Sequence, residues 1–149
     1  MSIDGRRSGA AKPLLRKAQY EILAAFRYAL RQFIHFSEAA AESAGITPQQ
    51  HQALLAIKGF PARDRVTVSE LAERLQLRHH SAVGLIDRLA EEKLAVREAD
   101  TEDRRQVFVR LTKRGEGKLE QLSFSHRREL RRIGPTLNAL LKKIDSAST

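Results

Sequence analysis

The sequence has no cysteine and no tryptophan, and aromatic residues make up only 5% of its 149 positions. Without thiols it can form no disulfide, no thiolate zinc site and no cysteine-based peroxide sensor, so any switch must use another chemistry. With so few rings, single-strand binding by stacked aromatics is poorly supplied. No apolar run approaches the ~20 residues of a membrane-spanning helix, and the N-terminal residues lack the apolar segment of a secretion signal. A cytoplasmic protein with no membrane partner is therefore expected. A Gly-rich phosphate loop, a GxSxG elbow, an HExxH pair and a separated carboxylate pair are all missing, so no enzyme is expected. No His/Asp/Glu spacing is specific enough to claim a metal, and no cofactor is implied.

What the chain does have is positive charge. Lys and Arg number 27 against 18 Asp and Glu, a net charge of +9, which attracts polyanions at neutral pH. Nucleic acid is the first partner to consider, and the shortage of rings favours a duplex. The length suits one domain with a useful core.

The opening residues 1–13, rich in Gly, Ser and Arg, have no periodicity and are expected to be a mobile basic tail. From Leu14 to about Ala44 nothing breaks a helix, and Leu15, Ala18, Ile22, Phe26, Ala29, Phe33 and Phe36 recur at helical spacing. A second apolar edge, Leu30 and Ile34, suggests packing on a partner chain. Gly45 ends this helix, and Thr47-Pro48 suits the cap and first position of a short one running to Lys58. Gly59-Phe60-Pro61 breaks the chain, and Val66 suits a brief edge strand.

Thr67-Val68-Ser69-Glu70 has capping-box spacing and opens a two-turn helix with Leu71, Ala72 and Leu75 on one face. After a turn at Gln76-Leu77-Arg78, a fourth helix is expected over about His79–Glu92. Ala82, Ile86, Leu89 and Ala90 face inward, and His80, Ser81, Gly84, Asp87 and Arg88 face outward. Two short helices joined by a tight turn make a helix-turn-helix. Ala95–Ala99 and Gln106–Leu111 read as paired strands, with Val107, Val109 and Leu111 alternating with Gln106, Phe108 and Arg110 around a charged tip at Asp100–Arg105. A hairpin in that position is a wing. Thr112 caps a fifth helix that Gly134-Pro135 is expected to stop before a last short helix of Leu137, Leu140, Leu141 and Ile144. Gly115 and Gly117 should weaken its first turns by roughly 1 kcal/mol each.

Val68-Ser69-Glu70-Leu71-Ala72, then Asp87-Arg88-Leu89, then Asp100 to Thr112 with its Asp-Arg-Arg wing and closing Leu111-Thr112, occur in the order and separations of the MarR family of bacterial transcription regulators. The chain resembles that family from about residue 15 to 145. The resemblance implies a mainly α fold with a small β-hairpin wing, in which residues 14–149 form a single domain. Residues 14–60 and 113–149 would supply the dimerisation helices, and 62–112 the winged helix-turn-helix. It also implies a homodimer on a pseudo-palindromic duplex, a repressor released by a small aromatic or phenolic ligand, with the ligand-binding residues unknown. A non-specific architectural nucleic-acid-binding protein is the alternative. Two departures stand out. Lys93 replaces the usual Gly after the recognition helix, where the left-handed cap is expected to be lost. Arg78-His79-His80-Ser81 replaces the usual Ser or Pro cap.

Duplex recognition needs cations on phosphates and side chains at base edges. Arg78, His79, His80 and Ser81, at the N-terminal end of the fourth helix, are the expected groove or phosphate contacts. Gly84 either allows close backbone approach or is simply a weak helix position, and Arg88 either meets DNA or pairs with Asp87 or Glu92. Arg104 and Arg105 at the hairpin tip suit a narrow minor groove. Asp100 and Asp103 beside them would repel phosphate, so they are read as wing-orienting, one of them holding an Arg through a charge-assisted pair; the family resemblance implies that Asp103 and Arg105 form it while Arg104 points out. The Arg-rich stretch His126–Arg132 reads as a solvated helix face or a secondary phosphate contact. His35 and His51 read as satisfied structural histidines.

Overall fold

Thr47 and Pro48 show how local chemistry sets the architecture. The Thr47 hydroxyl accepts the Gln50 N–H at 3.1 Å, the Gln50 side chain accepts the Thr47 N–H at 2.9 Å, and Pro48 fills the first helical position. This reciprocal cap fixes where the second helix begins. The computed structural model describes residues 14–146; the tail expected over residues 1–13 lies outside them. The described elements are α1 (Lys17–Ser43), α2 (Pro48–Lys58), β1 (Arg65–Thr67), α3 (Val68–Leu75), α4 (His79–Glu91), β2 (Ala95–Ala99), β3 (Val107–Leu111) and α5 (Lys113–Ser146).

The strands form one antiparallel sheet in the order β1-β3-β2, with Val66 opposite Val109 and Arg97 opposite Val109 on the other side. The core lies under this sheet. Leu54 and Ile57 of α2, Leu71 of α3, Leu85, Ile86 and Leu89 of α4, and Val66, Val109 and Leu111 of the strands are all buried. Leu119 and Leu122 tie the start of α5 to the same cluster, and Ala41 ties in the end of α1. Beyond those points the two long helices pack on each other and leave apolar side chains in the open. Leu23 is 50% exposed, Ile34 53% and Leu130 46%.

Four local expectations are corrected. First, α5 does not stop at Gly134-Pro135; it runs unbroken to Ser146 with Pro135 inside it. An internal proline costs about 3 kcal/mol, partly through clash with the preceding residue's Cβ, which Gly134 lacks. Apolar residues also continue at helical spacing on both sides, with Ile133, Leu137, Leu140 and Ile144 half-buried. Second, Phe108 is buried and Val107 exposed, so the inward-outward alternation of β3 breaks at its start.

Third, Lys93 takes the left-handed conformation that glycine usually supplies, at φ 60°. The Leu94 N–H reaches the Leu89 carbonyl at 2.8 Å and the Lys93 N–H the Ala90 carbonyl at 3.0 Å, so the full cap forms without glycine. Fourth, Gly115 is a packing requirement, because a Cβ there would sit 2.0 Å from the Leu94 carbonyl oxygen. Of the histidines, His51 is buried but its Nδ1 has no hydrogen-bond partner among the described residues, so it is not the satisfied histidine expected. His35 is exposed.

Candidate nucleic-acid interface

The helix-turn-helix is held at both ends by its own backbone chemistry. Thr67 and Glu70 form the expected capping box of α3, with the Glu70 N–H to the Thr67 hydroxyl at 3.2 Å and the Thr67 N–H to the Glu70 carboxylate at 2.9 Å. The other Glu70 oxygen pairs with the Arg63 guanidinium. Burial alone would raise the Glu70 carboxyl, but Thr67 and Arg63 outweigh it and hold it below the usual range. At the other end Gln76 turns left-handed, at φ 54°, and the Leu77 N–H returns to the Ala72 carbonyl at 2.8 Å. That turn delivers the chain to Arg78, which caps α4 with no side-chain hydrogen bond.

The first turn of α4 is therefore polar and open. Arg78, His79 and His80 are exposed, Ser81 and Gly84 half-buried, and Asp87 and Arg88 exposed. Ala82, Leu85, Ile86 and Leu89 make the buried face, with Leu85 added to the inward set expected from the periodicity. Arg88 pairs with neither Asp87 nor Glu92. Its Nη1 lies 3.6 Å from where a Cβ on Gly84 would stand, an ordinary contact, so internal packing gives no reason for glycine there. Asp87 instead pairs with Arg97 of β2 at 2.5 Å, joining α4 to the hairpin. Sequence reasoning missed Arg97, since only the sheet register brings it beside α4.

The hairpin tip is shaped by carboxylates acting on the backbone. The Asp100 N–H donates to the Gln106 carbonyl and the Gln106 N–H to the Asp103 carbonyl, each at 3.0 Å. The Asp103 carboxylate accepts the backbone N–H of Arg105 at 3.0 Å, and Asp100 accepts that of Glu102 at 3.3 Å. Asp103 thus engages Arg105 through its amide, not the expected guanidinium pair, because an aspartate two residues back closes a local turn onto the amide more readily than it reaches a side chain. Asp100 faces the Arg65 guanidinium at 4.0 Å. Among the described residues, the Arg104 and Arg105 guanidiniums are exposed and have no ion-pair partner. Arg105, Gln106 and Val107 line an open groove of about 460 Å³ with Thr67, Val68 and Ser69, which sets the wing beside the start of α3.

The Arg-rich stretch of α5 is exposed apart from half-buried His126 and Glu129, and Glu129 holds Arg132 through both carboxylate oxygens, at 3.1 and 2.6 Å. Among the described residues no cluster of His, Asp and Glu could hold a metal ion, and no helix is long and apolar enough to cross a membrane.

A capped two-helix turn followed by an antiparallel hairpin, all on one core, defines a winged helix-turn-helix protein. Within that class the chain is similar to the MarR family, whose model matches residues 44–106. It is 32% identical over 81 residues to the HTH-type transcriptional repressor MdtR of Bacillus subtilis, covering 54% of this chain and 50% of that protein. It is 37% identical over 68 residues to the repressor YetL of the same organism, covering 45% and 41%. The matched stretches thus span half or less of these curated relatives. Among solved structures, a MarR family protein from Bacillus stearothermophilus superposes with a TM-score of 0.72 at 21% identity, covering 92% of this chain and 100% of that one. AbsC of Streptomyces coelicolor gives 0.70 at 22%, covering 91% and 93%. A mutant of S. aureus MepR bound to an oligodeoxyribonucleotide gives 0.65 at 22%, covering 87% and 98%. At these identities the structures speak for the fold.

Proposed function

We propose that the chain binds double-stranded DNA with sequence preference, as a homodimeric transcriptional regulator. The observation that carries this reading is the pair of exposed wing guanidiniums, Arg104 and Arg105, without an ion-pair partner among the described residues, following a recognition helix whose open first turn presents Arg78, His79, His80 and Ser81. On this reading α4 enters the major groove, those residues and Arg88 meet bases or phosphates, and the wing arginines enter the flanking minor groove. Gly84 lets the backbone approach closely, which agrees with the lack of any internal reason for glycine there. Asp100 and Asp103 hold the wing in shape.

The division of labour follows the core. Residues 62–112 form the DNA-binding unit, and residues 14–60 and 113–149 supply dimerisation through the apolar side chains that α1 and α5 leave exposed. Repressors among the relatives support repression, and the absence of cysteine favours release by a small aromatic or phenolic ligand over thiol oxidation. Such a regulator works in the cytoplasm and needs no cofactor or catalytic step.

The test is selection of duplexes from a random library by the purified protein at physiological salt. An inverted repeat with half-sites about one helical turn apart is expected. Salt-sensitive capture of duplexes without a motif would replace this reading with that of an architectural, charge-driven binder, which the net charge of +9 alone would support. No capture at all would remove nucleic acid from the account.

A further inference from the structure

Three arginines and two phenylalanines alternate between α3 and the wing. The Arg74 guanidinium of α3 lies 5.0 Å from the Phe60 ring centroid, and Arg63 lies 4.5 Å from the same ring and 5.4 Å from Phe108. Arg65 of β1 covers Phe108 of β3 at 4.0 Å and faces the Asp100 carboxylate, also at 4.0 Å, where the wing tip begins. Arg63 is pinned in addition by Glu70, whose carboxylate completes the capping box of α3. This stack explains why Phe108 is buried against the strand's alternation: guanidinium planes cover it where solvent would otherwise lie. A guanidinium over a ring is favoured by the ring's quadrupole and restricts both partners to a stacked geometry.

We infer that this ladder is a positioning device, with Arg65 as its key member, that fixes the tilt of the hairpin tip relative to the helix-turn-helix and so sets where Arg104 and Arg105 meet DNA. The hairpin itself is a two-strand ribbon beyond Phe108, and such ribbons twist easily. The ion pair of Asp87 with Arg97, which also ties the hairpin to the helices, grips β2 opposite Val109, well below the tip. Among the described residues, only Arg65 joins the ring stack to Asp100 at the tip's first residue. A tip free to swing would still carry its arginines, but would spread them over many positions and lose the ordering that minor-groove entry requires. Arg65 touches DNA in no part of this account; it acts through Asp100 and Phe108.

The DNA arm of the test rests on the DNA-binding reading; the other arm does not. Hydrogen exchange on the free, full-length protein compares wild type with Arg65→Gln. Faster exchange is expected at the Arg105 and Gln106 amides, with α4 unchanged and the thermal midpoint within a few degrees of wild type. Unchanged exchange at the tip would overturn the inference, and so would general loosening of the domain. On a selected duplex, Arg65→Gln should weaken binding about fivefold and lose minor-groove protection at the flanks while keeping major-groove protection, with Arg65→Lys in between. In an Arg105→Ala background the same substitution should add almost nothing, since the residue it positions is gone. An equal loss in both backgrounds would overturn the positioning role. Exchange that loosens at the tip in a protein that captures no duplex would uphold the ladder and defeat the DNA-binding reading.

Discussion

The rings of His51 and His126 lie face to tilted face, with centroids 4.7 Å apart, at the junction of α1, α2 and α5. His126 is fully engaged, its Nδ1 with the Leu122 carbonyl at 2.7 Å and its Nε2 with the Ser37 hydroxyl at 2.8 Å, and the rings of Phe33 and Phe36 stand edge-on to it. His51 has no such partner at Nδ1 among the described residues. Burial lowers its pKa from 6.5, and the charge on His126 lowers it further. The unfolded chain therefore takes up a proton at higher pH than the folded one. The stability tied to neutral His51 is complete above 6.5 and is lost as pH falls through the depressed folded value, with a slope of at most ~1.4 kcal/mol per pH unit. Denaturation midpoints at a series of pH values should show this slope in wild type and a flatter one in His51→Phe, which keeps a ring against His126. Parallel curves would assign the acid sensitivity to other groups.

Gly115 and Gly117 sit two residues apart in the first turns of α5, yet opposite outcomes are expected from the same substitution. A methyl group at Gly115 would meet the Leu94 carbonyl at 2.0 Å, so Gly115→Ala must push the helix off the hairpin and should destabilise the protein by about 3 kcal/mol. Gly117 has nothing within 4 Å of a built Cβ, and Gly117→Ala should stabilise by about 1 kcal/mol through helix propensity alone. Urea denaturation of the two variants checks both signs at once.

These contrasts mark where local pattern suffices. Thr47 and Thr67 announce their helices because a cap is chemistry within four residues, and the ends of α2 and the bounds of β2 follow from the same kind of signal. The outward face of α4 was also legible, since helical period separates Ser81 and Arg88 from Ala82 and Leu89. What stayed hidden depends on contacts between distant segments. Period alone cannot say that Phe108 is roofed by Arg63 and Arg65, that Asp87 belongs to Arg97 rather than to Arg88, or that Leu94 presses on Gly115. Pro135 reads as a stop in isolation, and only the packing of α5 along α1 makes continuation the better solution.

Lys93 holds a left-handed backbone at φ 60°, a conformation that places the Cβ of an L-residue too close to its own carbonyl and costs roughly 1–2 kcal/mol. The position tolerates it because the cap is tied down on both sides, the Lys93 carbonyl accepting the Thr112 hydroxyl at 2.6 Å and the Leu94 N–H reaching Leu89. Lys93→Gly removes the clash but adds freedom to the unfolded chain, an offset of roughly 0.4–1 kcal/mol. A net gain of about 0.5–1 kcal/mol is expected in the unfolding free energy. A loss would mean that the lysine side chain itself contributes packing.

On the DNA-binding reading, Asp103 separates two ways of organising the wing. Its carboxylate accepts the Arg105 amide at 3.0 Å, a role that an asparagine oxygen fills equally well. Arg105→Ala should weaken binding to a selected duplex at least about tenfold with the dimer intact, because a guanidinium in a narrow minor groove meets the strongest part of the DNA potential. Asp103→Asn keeps the turn and removes a negative charge near phosphate, so affinity should hold or rise. Asp103→Ala removes the acceptor and should lose part of what Arg105→Ala loses. Should Asn fall as far as Ala in the same titration, the carboxylate's charge, and not its hydrogen bond to the backbone, would be what orders Arg105.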